Sequence, residues 1–187
     1  MKAVKALELL INGNQRFVDH KLENITQGIL DCDHLVNGQE PFAVIVGCSD
    51  ARVPTEMIFD TRLGDLFIIR NAGSVANRTQ IASVEFAVLK LNVELVVVLV
   101  HQNCGAINAA LEYQYVSENM DFMLSQIRAL IHETEDKSSE NITKLNAFKS
   151  IDNLISKSKI IKSKVEEGSV KIVPAYYEIS TGKVYIL

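Results

Sequence analysis

The side chains of this sequence that could carry out chemistry follow two apolar runs, VIVG (44–47) and LVVVLV (95–100). Four residues of metal-ligand type come directly after these runs: Cys48, Asp50, His101 and Cys104. Two thiolates and an imidazole form a donor set that zinc prefers, and a carboxylate or a water molecule can complete its tetrahedron. The pattern therefore predicts a zinc site, provided that the two segments meet in the fold.

Two other interpretations of the cysteines compete with a metal site. Free cysteine is often buried, so both thiols could be inert core groups, with His101 satisfied by a backbone hydrogen bond. The thiols could also form a redox pair, but the sequence contains no Cys-x-x-Cys motif, which disfavours that role. Each cysteine has a second ligand-type residue within three positions, so metal binding is the favoured interpretation.

Asp50 is followed two residues later by Arg52. A guanidinium can hold a carboxylate in a two-bond fork, which fixes its direction and keeps it ionised. If Asp50 binds the metal instead, the site is closed by four protein ligands. If Arg52 holds Asp50 away, the metal keeps an open position for water, as a catalytic zinc site requires. The sequence leaves both arrangements open.

The hydrophobic pattern predicts alternating helices and strands. Predicted helices cover 3–19 (loosely broken around Gly13), 79–92, 105–113, 119–133 and 141–165. Predicted strands cover 41–47, 65–70 and 93–100, followed by a terminal strand, a turn at 181–182 and a last strand. This order is typical of an α/β fold with a central, mainly parallel sheet flanked by helices, in which ligands bind beyond the carboxyl ends of the strands. We therefore expect the first and third strands to be neighbours that bring the ligand-type residues to one edge.

Length, charge and composition narrow the functional classes. The chain has 187 residues, 48% of them apolar and 22% charged, which predicts one globular domain. A net charge of −4, without a basic cluster next to aromatic residues, disfavours a nucleic-acid partner. The longest apolar run is too short to span a membrane, and the N-terminus has no signal-peptide pattern. With only three cysteines, these features predict a cytoplasmic protein whose thiols serve metal binding or catalysis.

A further group of ligand-type residues, DCDH (31–34), lies in a polar segment without a partner motif. We expect a solvated loop or short helix there rather than a second metal site. His20 and His132 also lie in polar surroundings and are expected to be exposed.

Three motifs, CSDARVP, FDTRLGDLFIIRNAG and HQNCGAI, resemble the β-class carbonic anhydrases. The resemblance extends to ALELLINGNQRF near the N-terminus and to the closing IVPAYYEISTGKVYIL, and only 113–145 matches loosely. It implies a single β-carbonic anhydrase-like domain over 1–187, with an N-terminal helical arm (1–40) and an α/β zinc core (41–187). It also implies a homodimer or homotetramer in which the N-terminal helix clasps the neighbouring subunit.

By this resemblance, the zinc ligands are Cys48, His101 and Cys104. Asp50 and Arg52 form the catalytic dyad, with Asp50 as a fourth zinc ligand in a closed form. Gly105 would let the backbone approach the metal site and the substrate. The implied reaction is reversible hydration of carbon dioxide to bicarbonate, by attack of a zinc hydroxide that the dyad orients. The alternatives are hydrolysis of carbon disulfide or carbonyl sulfide on the same scaffold, and a catalytically silent zinc protein.

Three positions depart from the family pattern. Val100 stands before His101 where the family usually has glycine, which is expected to add bulk beside a ligand. Ile45 replaces the tryptophan of the bicarbonate-regulated subgroup, although Arg70 and Tyr177 match the rest of that pocket, so this form of regulation is not expected. Arg62 stands where many members have glutamine or a related residue. A role at the site and an ordinary surface arginine are equally good interpretations of this position.

Overall fold

The computed structural model describes residues 1–24, 33–113 and 115–187. The side chains of the DCDH segment lie outside the described residues, so the expectation of a solvated loop or short helix there, rather than a second metal site, stays a prediction. His20 and His132 are exposed, as expected. None of the described helices is long and apolar enough to cross a membrane.

Within the described residues, five strands form one sheet in the order β2-β1-β3-β4-β5. The strands are β1 (Ala43–Cys48), β2 (Leu66–Asn71), β3 (Leu95–His101), β4 (Lys171–Glu178) and β5 (Lys183–Ile186). The first four are parallel, and β5 pairs antiparallel with β4 across the turn predicted at 181–182. The expected mainly parallel sheet is confirmed, as is the pairing of the first and third strands.

Seven α-helices connect and cover these strands in the described part of the chain. They are α1 (Ala3–Val18), α2 (Thr55–Ile58), α3 (Arg78–Lys90), α4 (Gly105–Glu112), α5 (Glu118–Glu133), α6 (Ser139–Lys157) and α7 (Lys159–Glu166). Short 3₁₀ turns cover Asp33–Asn37 and Ala72–Ser74. The α/β class predicted from the sequence is therefore confirmed.

Two helix predictions need correction. The helix predicted over 141–165 is two helices, because Ser158 leaves the helical conformation and its hydroxyl accepts a hydrogen bond from Ile161 N at 3.1 Å, which caps α7. The break expected around Gly13 does not occur, and α1 runs through it. A Cβ at Gly13 would lie 1.8 Å from Phe59 O, so this glycine lets α1 pack directly against the backbone that follows α2.

Every residue of β1 and β3 is buried, which explains their continuous apolar sequences. Alternate residues point to opposite faces of the sheet. On one face Val96, Val98 and Val100 join a core formed with α3, α6 and α7, and on the other Val97 and Leu99 pack with α1 and α2. The side chain of Val100 thus adds its bulk to the core, rather than beside His101 as the sequence suggested.

Candidate metal centre

The ends of β1 and β3 bring three ligand-type side chains together. Cys48 is the last residue of β1, His101 is the last of β3, and Cys104 precedes α4 at its N-cap position. β1 and β3 are adjacent parallel strands, so both end at the same edge of the sheet. All three side chains are buried, and their ligand atoms lie within 4.8 Å of one another. The grouping expected from the sequence is therefore present.

The surroundings of His101 leave one ring nitrogen available as a ligand. Its Nδ1 lies 3.0 Å from Gln102 O, and because a carbonyl can only accept, Nδ1 carries the proton. Nε2 then presents its lone pair to the two thiols. Among the described residues, this buried Nε2 has no hydrogen-bond partner. A buried nitrogen without a partner is costly, and a metal ion would satisfy it.

The two thiols form a closely coupled pair, with 4.0 Å between Cys48 Sγ and Cys104 Sγ. The hydrogen bond from Cys104 is the largest cause that lowers the pKa of Cys48, to about 4. The Gly73 N–H also lowers it, against the opposing effect of burial. The same Cys48 interaction, together with burial, raises the pKa of Cys104. These opposite directions predict one thiolate and one thiol near neutral pH, and zinc would require both as thiolates.

Asp50 lies beside this group and is held by Arg52. Arg52 Nε donates to Oδ1 at 2.9 Å, Nη2 donates to Oδ2 at 2.7 Å, and the Arg52 backbone N–H donates to Oδ1 at 2.9 Å. The side-chain bond from Arg52 is the main reason that the pKa of Asp50 lies well below its usual range. Oδ2 is 3.9 Å from His101 Nε2. Of the two arrangements left open by the sequence, the structure has the one in which Arg52 holds Asp50.

The route that brings Asp50 to the site differs from the expected one. An extended strand through residue 50 would have placed Cys48 and Asp50 on one face, but β1 ends at Cys48. The chain turns instead, with Val53 N donating to Asp50 O at 3.1 Å. The carboxylate is aimed by the backbone N–H two residues on, a contact typical of aspartate in turns.

Three further hydrogen bonds at the site, from Arg70 and Gly73, were not predicted from the sequence. Arg70 Nε donates to Cys48 O and its Nη2 to Asp50 O, both at 2.7 Å. Gly73 N donates to Cys48 Sγ at 3.3 Å. The resemblance relates Arg70 only to the pocket of the bicarbonate-regulated subgroup. Its hydrogen bonds to the two carbonyl oxygens depend on the pairing of β1 with β2, and no sequence motif predicts them.

Gly105 and Arg62 lie at the surface. A Cβ at Gly105 would meet no heavy atom within 4 Å, so the described chain gives no steric reason for glycine there. The Arg62 backbone N–H donates to Asp65 Oδ2 at 2.8 Å, and its Nε donates to Asn24 Oδ1 at 3.3 Å. Arg62 thus ties the segment before β2 to the segment after α1.

Comparison with known proteins adds independent evidence. A family model described as carbonic anhydrase matches residues 43–184. Carbonic anhydrase 2 of Mycobacterium tuberculosis is 34% identical over 96% of this chain and 90% of its own length. The β-carbonic anhydrase CafA of Aspergillus fumigatus aligns at a TM-score of 0.77 and 25% identity, over 98% of this chain and 88% of that one. A tetrameric β-carbonic anhydrase of Sordaria macrospora has the same fold, with a TM-score of 0.77 and 23% identity over 98% and 97% of the two chains.

Proposed function

Because this chain belongs to the β-carbonic anhydrase family, we propose that it catalyses the reversible hydration of carbon dioxide to bicarbonate and a proton. The observation that carries the proposal is that one site combines a metal-ligand set with a carboxylate of fixed direction. A buried set of two sulfurs and one nitrogen lies within 4.8 Å, and an arginine-held carboxylate reaches to 3.9 Å from that nitrogen. A metal site that only stabilised the fold would need the sulfur and nitrogen ligands, but it would not need a carboxylate held beside them by an arginine.

Zinc is the metal that we propose for Cys48, His101 and Cys104. Two thiols and an imidazole suit zinc, and the protonated Nδ1 of His101 leaves Nε2 as the ligand atom. When bound, zinc would act as a Lewis acid that lets a water molecule lose a proton near neutral pH.

Asp50 and Arg52 would orient the reacting water. Oδ1 of Asp50 accepts two hydrogen bonds and Oδ2 accepts one, so Oδ2, the oxygen nearer His101, keeps a free acceptor position. The paired arginine keeps the carboxylate ionised, so that it accepts a hydrogen bond and does not donate one. An acceptor of fixed direction would point the oxygen lone pair of that water at the carbon of the substrate.

Arg52 also connects the two segments that supply the site. Its Nη2 donates to Asn103 O at 3.1 Å, so one guanidinium bridges the turn after β1 and the turn after β3. Arg70 holds the carbonyl oxygens of Cys48 and Asp50 from the other side. These contacts would fix the distance between the carboxylate and the metal ligands during turnover.

The test is stopped-flow measurement of carbon dioxide hydration by the zinc-loaded protein. We expect activity in the wild type, loss of zinc and activity in Cys48→Ser, and neither loss in Cys32→Ser. Asp50→Asn should keep zinc but lose about 10- to 100-fold in kcat/KM. Its matched control is Asp65→Asn, which alters another carboxylate that accepts a backbone N–H and should leave kcat/KM unchanged.

Two results would contradict the proposal. Zinc-loaded wild type without carbon dioxide hydration at any pH from 6.5 to 9 would favour the catalytically silent zinc protein. Turnover of carbonyl sulfide or carbon disulfide in place of carbon dioxide would favour the hydrolase alternative on the same scaffold.

Gly105 is proposed to contribute to substrate binding. The space around its Cα accepts a methyl group without contact, and alanine is a better helix former at the start of α4. Gly105→Ala should therefore fold normally, and a raised KM would reflect a methyl group in the path of the substrate. An unchanged KM would remove Gly105 from the site.

We also propose a homodimer or homotetramer. The Sordaria macrospora protein is described as tetrameric, and α1 of this chain leaves Val4 74% and Ile11 49% exposed, which are apolar side chains that a subunit contact would bury. Light scattering after size exclusion should give a multiple of the 20.8 kDa chain mass, and a value of 20.8 kDa would contradict the proposal.

A further inference from the structure

The turn that follows β2 has an uncommon backbone conformation. Gly73 and Ser74 are consecutive residues with positive φ, 81° and 52°. Glycine adopts such values freely, but a residue with a side chain does so at a cost. The surrounding structure must therefore hold Ser74 in place.

This turn contacts one of the proposed metal ligands. The Gly73 N–H donates to Cys48 Sγ at 3.3 Å. A Cβ on Gly73 would lie 3.0 Å from Ala106 Cβ and 3.2 Å from Ile127 Cδ1, so the turn is closely packed as well as strained. A small movement of this turn would lengthen or break the hydrogen bond to the thiolate.

Two buried side chains of α6 hold the turn. Asn146 Nδ2 donates to Gly73 O at 2.7 Å, and Ser150 Oγ donates to Ser74 O at 2.9 Å. Ser150 Oγ also accepts from Ala76 N at 3.3 Å. Asn146 and Ser150 are four residues apart and so lie on one face of the helix, where both are fully buried.

A second layer supports these two residues. Gln126 Nε2, on α5, lies 3.4 Å from both Asn146 Oδ1 and Ser150 Oγ. Asn153, one turn further along α6, donates to Gln126 Oε1. Buried polar groups are costly unless they are hydrogen-bonded, and every member of this row has a partner. The row ends at the turn that contacts Cys48.

We propose that Asn146 and Ser150 are positioning residues for the metal centre: they hold the Gly73–Ser74 turn so that the Gly73 N–H donates to Cys48 Sγ and limits how strongly that thiolate donates electrons to the metal. The inference rests on the proposed role of Cys48 as a ligand. Hydrogen bonds to a ligating sulfur lower the energy of its lone pair, and such outer contacts tune a metal site without touching it.

The test uses protein in which cobalt(II) replaces zinc, and the sulfur-to-cobalt charge-transfer band as the readout. Losing the N–H···S bond raises the sulfur lone pair in energy, so the band should move to longer wavelength in Ser150→Ala and in Asn146→Leu. Thr143→Val is the matched control. Thr143 is equally buried on the same face of α6, but its hydroxyl donates to Ser139 O within its own helix. Its band should stay in place.

The outcomes separate this inference from the proposed function. A wild-type protein without a charge-transfer band would remove the cysteines as ligands. A wild-type band that is unmoved in both α6 variants, with thermal stability lowered as in Thr143→Val, would make the row purely structural and overturn the inference. If Asn146→Leu does not fold, Ser150→Ala, which loses a single oxygen atom, decides between the two.

Discussion

Removal of the metal should leave one thiolate, not two and not none, in the cysteine pair at neutral pH. Cys48 Sγ and Cys104 Sγ are 4.0 Å apart. Two charges at that distance repel by about 4 kcal/mol at an effective dielectric constant of about 20. Because one pH unit corresponds to about 1.4 kcal/mol, this repulsion alone separates the two ionisations by about three pH units.

The first ionisation belongs mainly to Cys48. Its pKa of about 4 is the combined result of several causes: the bond from Cys104 is the largest that lowers it, the Gly73 N–H also lowers it, and burial raises it. Cys104 keeps its proton because the Cys48 thiolate and burial both raise its pKa. A lowered pKa means that the thiolate is present above about pH 4, so it should be fully formed at pH 6 and unchanged at pH 8.

The measurement is thiolate absorbance near 240 nm of metal-free protein between pH 6 and 8. All measurements use protein that carries Cys32→Ser, so that only the thiols of Cys48 and Cys104 contribute to the absorbance. We expect a flat signal equal to one thiolate per chain. Adding Cys104→Ala removes the largest cause of the lowered pKa, so the remaining thiol should ionise closer to about pH 8.5, and the signal at pH 6 should fall.

A different titration would refute this account. Two ordinary thiols would give almost no absorbance at pH 6 and a rise towards two thiolates through about pH 8.5. That result would mean that the two sulfurs do not share a proton, and that their close approach does not prepare the site for a metal.

Three other substitutions test the wider site and fold. Arg52→Ala should lower kcat/KM by about 10- to 100-fold while metal analysis still finds one zinc per chain, and loss of zinc would instead make Arg52 part of metal binding. Gly13→Ala should lower the free energy of unfolding in urea by about 1–3 kcal/mol, because a Cβ at this position would overlap Phe59 O. An unchanged urea midpoint would argue against this close packing of α1. Asp60→Asn should cost about 3 kcal/mol in the same assay, because this fully buried carboxylate accepts bonds from an arginine side chain and from two backbone N–H groups. A cost below about 0.5 kcal/mol would show that its charge is not needed.

The ligand group could be predicted from the sequence because it depends on simple periodicity. Continuous apolar runs identified β1 and β3 as buried parallel strands, and the carboxyl ends of such strands meet at one edge. Cys48, His101 and Cys104 follow those runs directly. Once the two strands are neighbours, Cys48 and His101 meet at that edge, and the short turn from β3 into α4 brings Cys104 to them.

The contacts that orient the ligands could not be predicted in the same way. Asn146 and Ser150 are polar residues on an otherwise ordinary helical pattern, and composition alone assigns such residues to a solvent-facing side. Their burial follows from the packing of α6 against the Gly73–Ser74 turn, which lies more than 70 positions away in the chain. The positive φ of Ser74 has no local sequence signal either, because serine does not favour it.

The residues around the metal ligands are held largely through backbone atoms. Cys48 Sγ accepts from Gly73 N, His101 Nδ1 donates to Gln102 O, and Asp50 Oδ1 accepts from Arg52 N. The position of each of these backbone groups follows from the path of the chain and does not depend on a side-chain rotamer. The ligand atoms are therefore directed towards one point by the fold itself, and a metal would stabilise an arrangement that already exists. The buried His101 Nε2, which has no partner among the described residues, faces the two thiols as part of this arrangement.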